Sequence, residues 1–264
     1  MIMSFQAYFL IFKAHLSKDM SYRFNFLFAY VLRITQLLLS LTVWSIIFEN
    51  KSEINGYNWT DIASYFALIS VTSLLFYPNH MFEMQPLIRK GILSSFLVKP
   101  INFEIHVLAK YLSSKISPLI IMSLFVAVVF NFLDIPIDIY INFFTSSVLV
   151  SCLLLTFCFG LCVSQFAFWL VEMWPLKRLF QGCMLLFGGV IAPLDLLPPN
   201  LALVASYTPF PYFGYFSVKM LQGGFTNDEL VRHVCIILVW TLMLFLSFKI
   251  LWKKGLKKYE AVNS

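Results

Sequence analysis

His80 and Glu83 stand three residues apart, a spacing that places two metal donors on one turn of a helix. Two donors do not hold an ion. His15, His106 and His233 are scattered with no ligand spacing, so no metal site is expected. The cysteines Cys152, Cys158, Cys162, Cys183 and Cys235 form no C-x-x-C pair and all lie in apolar segments. They read as small apolar residues of helices, with no structural disulfide. Arg33 sits inside an apolar run. An intramembrane guanidinium is costly and faces protein, water or a carboxylate, unless it reaches back to the headgroups. A structural or snorkelling role and a substrate contact both stay open for it. No paired intramembrane carboxylates suggest a proton relay, and no G-x-x-x-x-G-K-[ST] phosphate loop is present. Nothing points to covalent catalysis. The chain is therefore not expected to be an enzyme by itself or to bind a cofactor directly. Any pumping must draw its energy from a partner protein.

The elements that carry these residues are apolar and long. Of 264 residues, 60% are hydrophobic and 12% charged. Apolar runs fall near 24–48, 62–78, 112–133, 140–171, 179–194 and 230–252. A hydrocarbon core of ~30 Å takes ~20 helical residues. Only helices or closed barrels satisfy every backbone group in lipid, and continuous rather than alternating apolar runs favour helices. The expectation is an all-α integral membrane protein, a single domain over 1–264 with six transmembrane helices. Fifteen of the nineteen Lys and Arg fall in the N-terminal arm, the loop after span two, the loop after span four, and the tail. Lys51, Lys219, Arg232 and the intramembrane Arg33 are the others. The positive-inside rule then puts both termini in the cytoplasm. The net charge of +6 follows from this topology and the anionic cytoplasmic leaflet, not from nucleic acid, for which no soluble stretch is long enough. No basic n-region precedes Phe5–Phe12, so no cleavable signal is expected.

Residues 3–22 read as an interfacial helix, with Phe5, Phe9, Phe12 and Leu16 on one face. The long connection after span two holds a short helix over Leu87–Leu97, with Pro86 in its first turn and Pro100 beyond its end. Span four is over-long and ends near Trp174-Pro175. Span five is short and runs into Gly188-Gly189, Pro193, Pro198 and Pro199, which break the helix. The stretch 188–213 then reads as a re-entrant or surface hairpin. Span six ends in a basic tail, 253–264.

Three stretches resemble a known family. The interfacial helix leads into span one. Ile88-Arg89-Lys90-Gly91 with Leu97-Val98-Lys99-Pro100-Ile101-Asn102 is similar to an "I-R-x-G … L-x-x-P-[IL]" cytoplasmic loop. Pro193-Leu194-Asp195-Leu196-Leu197-Pro198-Pro199, then Pro209-Phe210 and Tyr212, is similar to a "fPldllP … PF-x-Y" stretch. In this order they resemble the membrane subunit of ABC-2 type exporters, in the compact six-span branch. Lys90 and Ile92 depart from the commoner Ser and Asp of that loop.

The resemblance implies two membrane subunits, identical or homologous, paired with two ATP-hydrolysing subunits that carry the ATP and Mg. It implies a location in the bacterial inner membrane. The segment 83–100 becomes a coupling loop, with Leu87, Ile88, Arg89, Lys90, Gly91, Leu93, Phe96 and Leu97 facing the ATPase. The region 188–213 becomes an outer gate, with Pro193, Asp195, Pro198, Pro199 and Pro209. The twenty-nine phenylalanines suit an amphiphilic or hydrophobic cargo such as a drug, antibiotic or lipophilic peptide. A lipid-linked polysaccharide or glycolipid is the alternative cargo, ranked second because spans one and five offer few polar positions. A non-transport scaffold is the other alternative. An intramembrane enzyme lacks the converging polar residues it would need.

Overall fold

The computed structural model describes residues 10, 12–14, 23–98 and 102–263. The expected interfacial helix at 3–22 lies almost wholly outside the described residues, as do Lys99, Pro100 and Ile101. Among the described residues the chain is helical and contains no strand beyond one isolated bridge, Ile54 to Tyr57.

Helix α1 covers Arg23–Phe48. A tight turn with Asn55 and Gly56 at positive φ returns the chain to α2, Trp59–Leu75. Asn58 starts α2 with a reciprocal cap. Its side chain accepts from the Asp61 N–H, and the Asp61 carboxylate accepts from the Asn58 N–H, each at 2.9 Å. After Leu75 the chain bends by 45° into a 3-10 turn, Asn79–Phe82, and α3, Met84–Arg89. The bend exposes carbonyls that a straight helix would bond. Buried Lys115 donates to two of them, Leu74 at 3.0 Å and Tyr77.

The short helix expected over Leu87–Leu97 is two helices. Gly91 adopts φ +64°, a left-handed conformation that ends α3 and starts α4, Ile92–Leu97. Asn102 caps α5, Phe103–Phe132, which carries Pro118. Asn142 caps α6, Phe143–Ser164, and a 3-10 turn follows at Gln165–Phe168. The over-long fourth span is thus a regular helix that ends in a tightened turn. Pro175 lies in the first turn of α7, Trp174–Phe187. The glycine- and proline-rich stretch then folds as a 3-10 turn at Leu194–Leu196, α8 at Pro199–Ser206, a 3-10 turn at Phe210–Phe213 and α9 at Tyr215–Leu221. Helix α10 runs from Asn227 to Asn263 without a break. The basic tail from 253 onward continues that helix to Asn263.

Four stretches are long and apolar enough to cross a membrane alone: Tyr30–Phe48, Phe103–Phe132, Phe143–Phe168 and Asn227–Tyr259. The bent pair Trp59–Leu75 and Asn79–Arg89 makes a fifth if counted as one. Helix α7, at 14 residues, is only ~21 Å long.

Contacts divide the molecule into two ends. At one, the tail end, α3 and α4 meet the start of α5, the turn after α6 and the last turns of α10. Met84, Leu93, Phe103, Leu161, Phe168 and Phe248 form a core there. At the other, the hairpin end, residues 189–222 meet the loops before α2 and before α6. Tyr65 donates to the Gly189 carbonyl at 2.8 Å, and Tyr140 N–H donates to the Leu221 carbonyl at 2.8 Å. Helix α1 packs chiefly against α2.

Candidate functional site: a cationic cavity between α1, α2 and α7

The coupling residues expected from sequence gather at the tail end, in two roles. Leu93 is fully buried, and Leu87, Ile88 and Phe96 pack against the same core. Arg89 turns back on its own chain. Its guanidinium donates to Glu172 at 2.7 Å, and Gln85 donates to the same carboxylate at 3.0 Å. Lys90 and Gly91 are exposed, and so are the apolar side chains of Ile92, Leu97 and Val98, the last at 86%. One side of the element is therefore sunk into the core, and the other presents apolar and basic groups with no partner among the described residues. Two further ion pairs brace the same end, Lys110 with Glu83 and Lys249 with Glu104.

The residues expected at an outer gate gather at the hairpin end. Pro193 and Pro209 are buried, whereas Pro198 and Pro199 are exposed at the start of α8. Asp195 is the hub. Tyr57 donates to its Oδ2 at 2.6 Å, Tyr215 donates to Oδ1, and the Lys219 ammonium lies 3.4 Å from Oδ2. Burial pushes this carboxyl upward. The two phenol hydrogen bonds and Lys219 outweigh that and hold it below its ordinary value. Burial and the same hydrogen bond push the Tyr57 hydroxyl far upward, which keeps it a donor. Gly214 permits this packing, because a Cβ there would lie 2.2 Å from the Gly188 carbonyl oxygen.

Between the two ends lies a cavity of about 700 Å³, bounded by α1, the end of α2 and α7. Arg33 lines it together with Gln36, Tyr77, Lys177, Arg178 and Gln181. A groove of about 470 Å³ continues from it along α1 past Leu39 and Val43 to Trp44, with Leu185 and Ile191 opposite. Gln36 and Val190 belong to both spaces. Among the described residues no carboxylate pairs with Arg33, Lys177 or Arg178. The lining changes along one helix, from cationic to amide and hydroxyl to apolar. Such an arrangement has the chemistry to orient an elongated molecule that is charged or polar at one end and apolar at the other.

Of these residues, sequence reasoning singled out Arg33 alone. Lys177 and Arg178 were assigned to topology, and span one was expected to hold few polar positions. The available signal was spacing. Arg33, Gln36 and Ser40 recur at helical intervals on one face, as do Lys177, Arg178 and Gln181.

No group of three or more His, Cys, Asp or Glu that could hold a metal occurs among the described residues. Comparison with known protein families gives a match over residues 34–262 to the model described as ABC-2 family transporter protein. No curated protein matches the chain at a significant level.

Proposed function

The chain belongs to the ABC-2 transporter family, and we propose that it is the membrane subunit of an ATP-driven exporter for an amphiphilic or hydrophobic compound. The observation that carries the reading is the α3–α4 element. It is anchored by Leu93 in the core and by Arg89 on Glu172, and it leaves Ile92, Leu97 and Val98 bare beside Lys90. A partner ATPase seated on that face would transmit its closure into the starts of α5 and α7 and the end of α10. The working complex has two such ATPases, which hold the ATP and Mg, and a second membrane subunit, identical or homologous.

In this reading the tail end is cytoplasmic, both termini included, and the membrane is the bacterial inner membrane. The chain crosses six times. Contacts at both ends of α7 support the count. Glu172, just before it, meets Arg89 at the tail end, and Asp195, just after it, meets Tyr57 at the hairpin end. The bent, non-helical backbone at 188–193 adds to the length that α7 lacks, where neighbouring groups cover it at Gly188, Gly189 and Pro193. The hairpin 188–213 caps the route.

A lipid-linked glycolipid is the second reading for the cargo. The polar lining at Arg33, Gln36 and Gln181 favours it more than the sequence did.

The test is ATP hydrolysis by the purified complex in proteoliposomes. Gly91→Pro replaces a left-handed residue with one fixed near φ −65° and should abolish substrate stimulation while the protein still reaches the membrane. Arg89→Glu should do the same. The charge swap Arg89→Glu with Glu172→Arg restores stimulation if Arg89 acts through Glu172 alone, and leaves it lost if Arg89 also meets the ATPase. Unchanged stimulation in both single variants would remove the ground for the proposal.

A further inference from the structure

Three cations, Arg33, Lys177 and Arg178, line one cavity, and among the described residues no carboxylate lines it with them. Three acids at that end are engaged elsewhere. Glu83 holds Lys110, Glu104 holds Lys249, and Glu172 holds Arg89. The neutral polar groups around the cations, Gln36, Ser73, Tyr77 and Gln181, can all donate hydrogen bonds. Arg178 reaches only the neutral Gln181 oxygen, at 3.4 Å, and Lys177 lies 5.7 Å from the centre of the Phe82 ring.

Like charges gathered between low-dielectric walls repel one another and concentrate a positive potential. Charges that only set topology sit among headgroups or in water. Arg33 lies ten residues, or ~15 Å, into α1 from Arg23, where its exposed side chain lines the cavity opposite α7. Two guanidinium forks and an ammonium match the oxygens of a phosphate or carboxylate. Eleven residues beyond Arg33, ~16 Å along the same helix, the wall has become Val43 and Trp44. That distance suits most of an extended acyl chain rather than a small ion.

We infer that the cargo is an anionic amphiphile, its oxyanion headgroup held by Arg33, Lys177 and Arg178 and its hydrocarbon laid along α1 towards Trp44. The inference rests on the exporter reading above and narrows it. A net-neutral headgroup bearing a quaternary ammonium is disfavoured by the same three cations.

The test uses the membrane subunit with its ATPase in nanodiscs and proteoliposomes. Dibrominated-acyl phosphatidic acid and dibrominated-acyl phosphatidylcholine are added separately, and the tryptophan quenching that disappears in Trp44→Phe is measured. Phosphatidic acid should quench that component at lower mole fraction than phosphatidylcholine. Arg33→Gln with Arg178→Gln should weaken its binding on the order of tenfold, and Arg33→Lys should restore part of it. In proteoliposomes, short-chain fluorescent phosphatidic acid should cross with ATP, and phosphatidylcholine should cross more slowly.

Equal quenching by the two lipids overturns the inference. So does selective quenching without ATP-driven movement of phosphatidic acid, which would mark a resident lipid. ATP-driven movement of phosphatidylcholine alone overturns it too, and leaves the exporter reading standing. Failure of every amphiphile, charged or neutral, to stimulate ATP hydrolysis sinks the exporter reading itself.

Discussion

At the hairpin end one carboxylate, Asp195, is held by two phenols and an ammonium. In the cavity, three cations share no carboxylate among the described residues. The difference lies in what is left over. A charge whose partners are all on the chain holds the chain together. Like charges without partners among the described residues do not hold the chain together, and in the proposal above they hold the cargo. The first should therefore respond in stability assays, and the second in binding.

The largest stability effect is expected from Asp195→Ala. It removes the acceptor of two phenols and leaves Lys219 without its counter-ion, so the loss should be about 2 kcal/mol in thermal unfolding of the detergent-solubilised protein. A loss no greater than that of a surface substitution would erase the contrast. Acid should act through the same group. The Asp195 carboxyl titrates below its ordinary value of 3.8 in the folded state. Its contribution is thus complete above 3.8 and disappears as pH falls through that value to the lower folded one. Melting curves taken down this range should show an acid limb that Asp195→Asn flattens.

Tyr57→Phe should cost less, about 1 kcal/mol, because one hydrogen bond of three is lost and the carboxylate stays partly exposed. The smallest effect in the same assay belongs to Arg33→Gln, within about 0.5 kcal/mol of the parent. A melting temperature that drops as far as for Asp195→Ala would show that Arg33 is a structural charge after all.

Much of the scaffold was legible in the sequence, for local reasons. Asn58, Asn102 and Asn142 cap helices whose apolar runs follow them directly. Gly188 and the left-handed Gly189 end α7 near where composition says the fifth span must stop. Other features needed three dimensions. The coupling segment reads as one helix because its apolar residues keep helical spacing through Gly91, and only the left-handed backbone there divides it. Asp195 and Tyr57 are 138 residues apart, so nothing local announces their pairing. Span one looked apolar because Arg33, Gln36 and Ser40 are diluted among leucines, and their shared face emerges when α7 is placed opposite. Membership of the ABC-2 family was visible from the order of two motifs. The loop residues inside the first motif were given a single role, whereas in the structure Leu93 is buried in the core and Arg89 binds Glu172.

Helix α10 is 37 residues long, or ~55 Å, and contains no proline. Near its far end Gly255 is pressed so close to Phe168 that a Cβ would fall 2.2 Å from the ring. The seam has no slack. A shift of the turn at Gln165–Phe168 meets the rod directly, and the rod runs unbroken from there to Asn227 at the hairpin end.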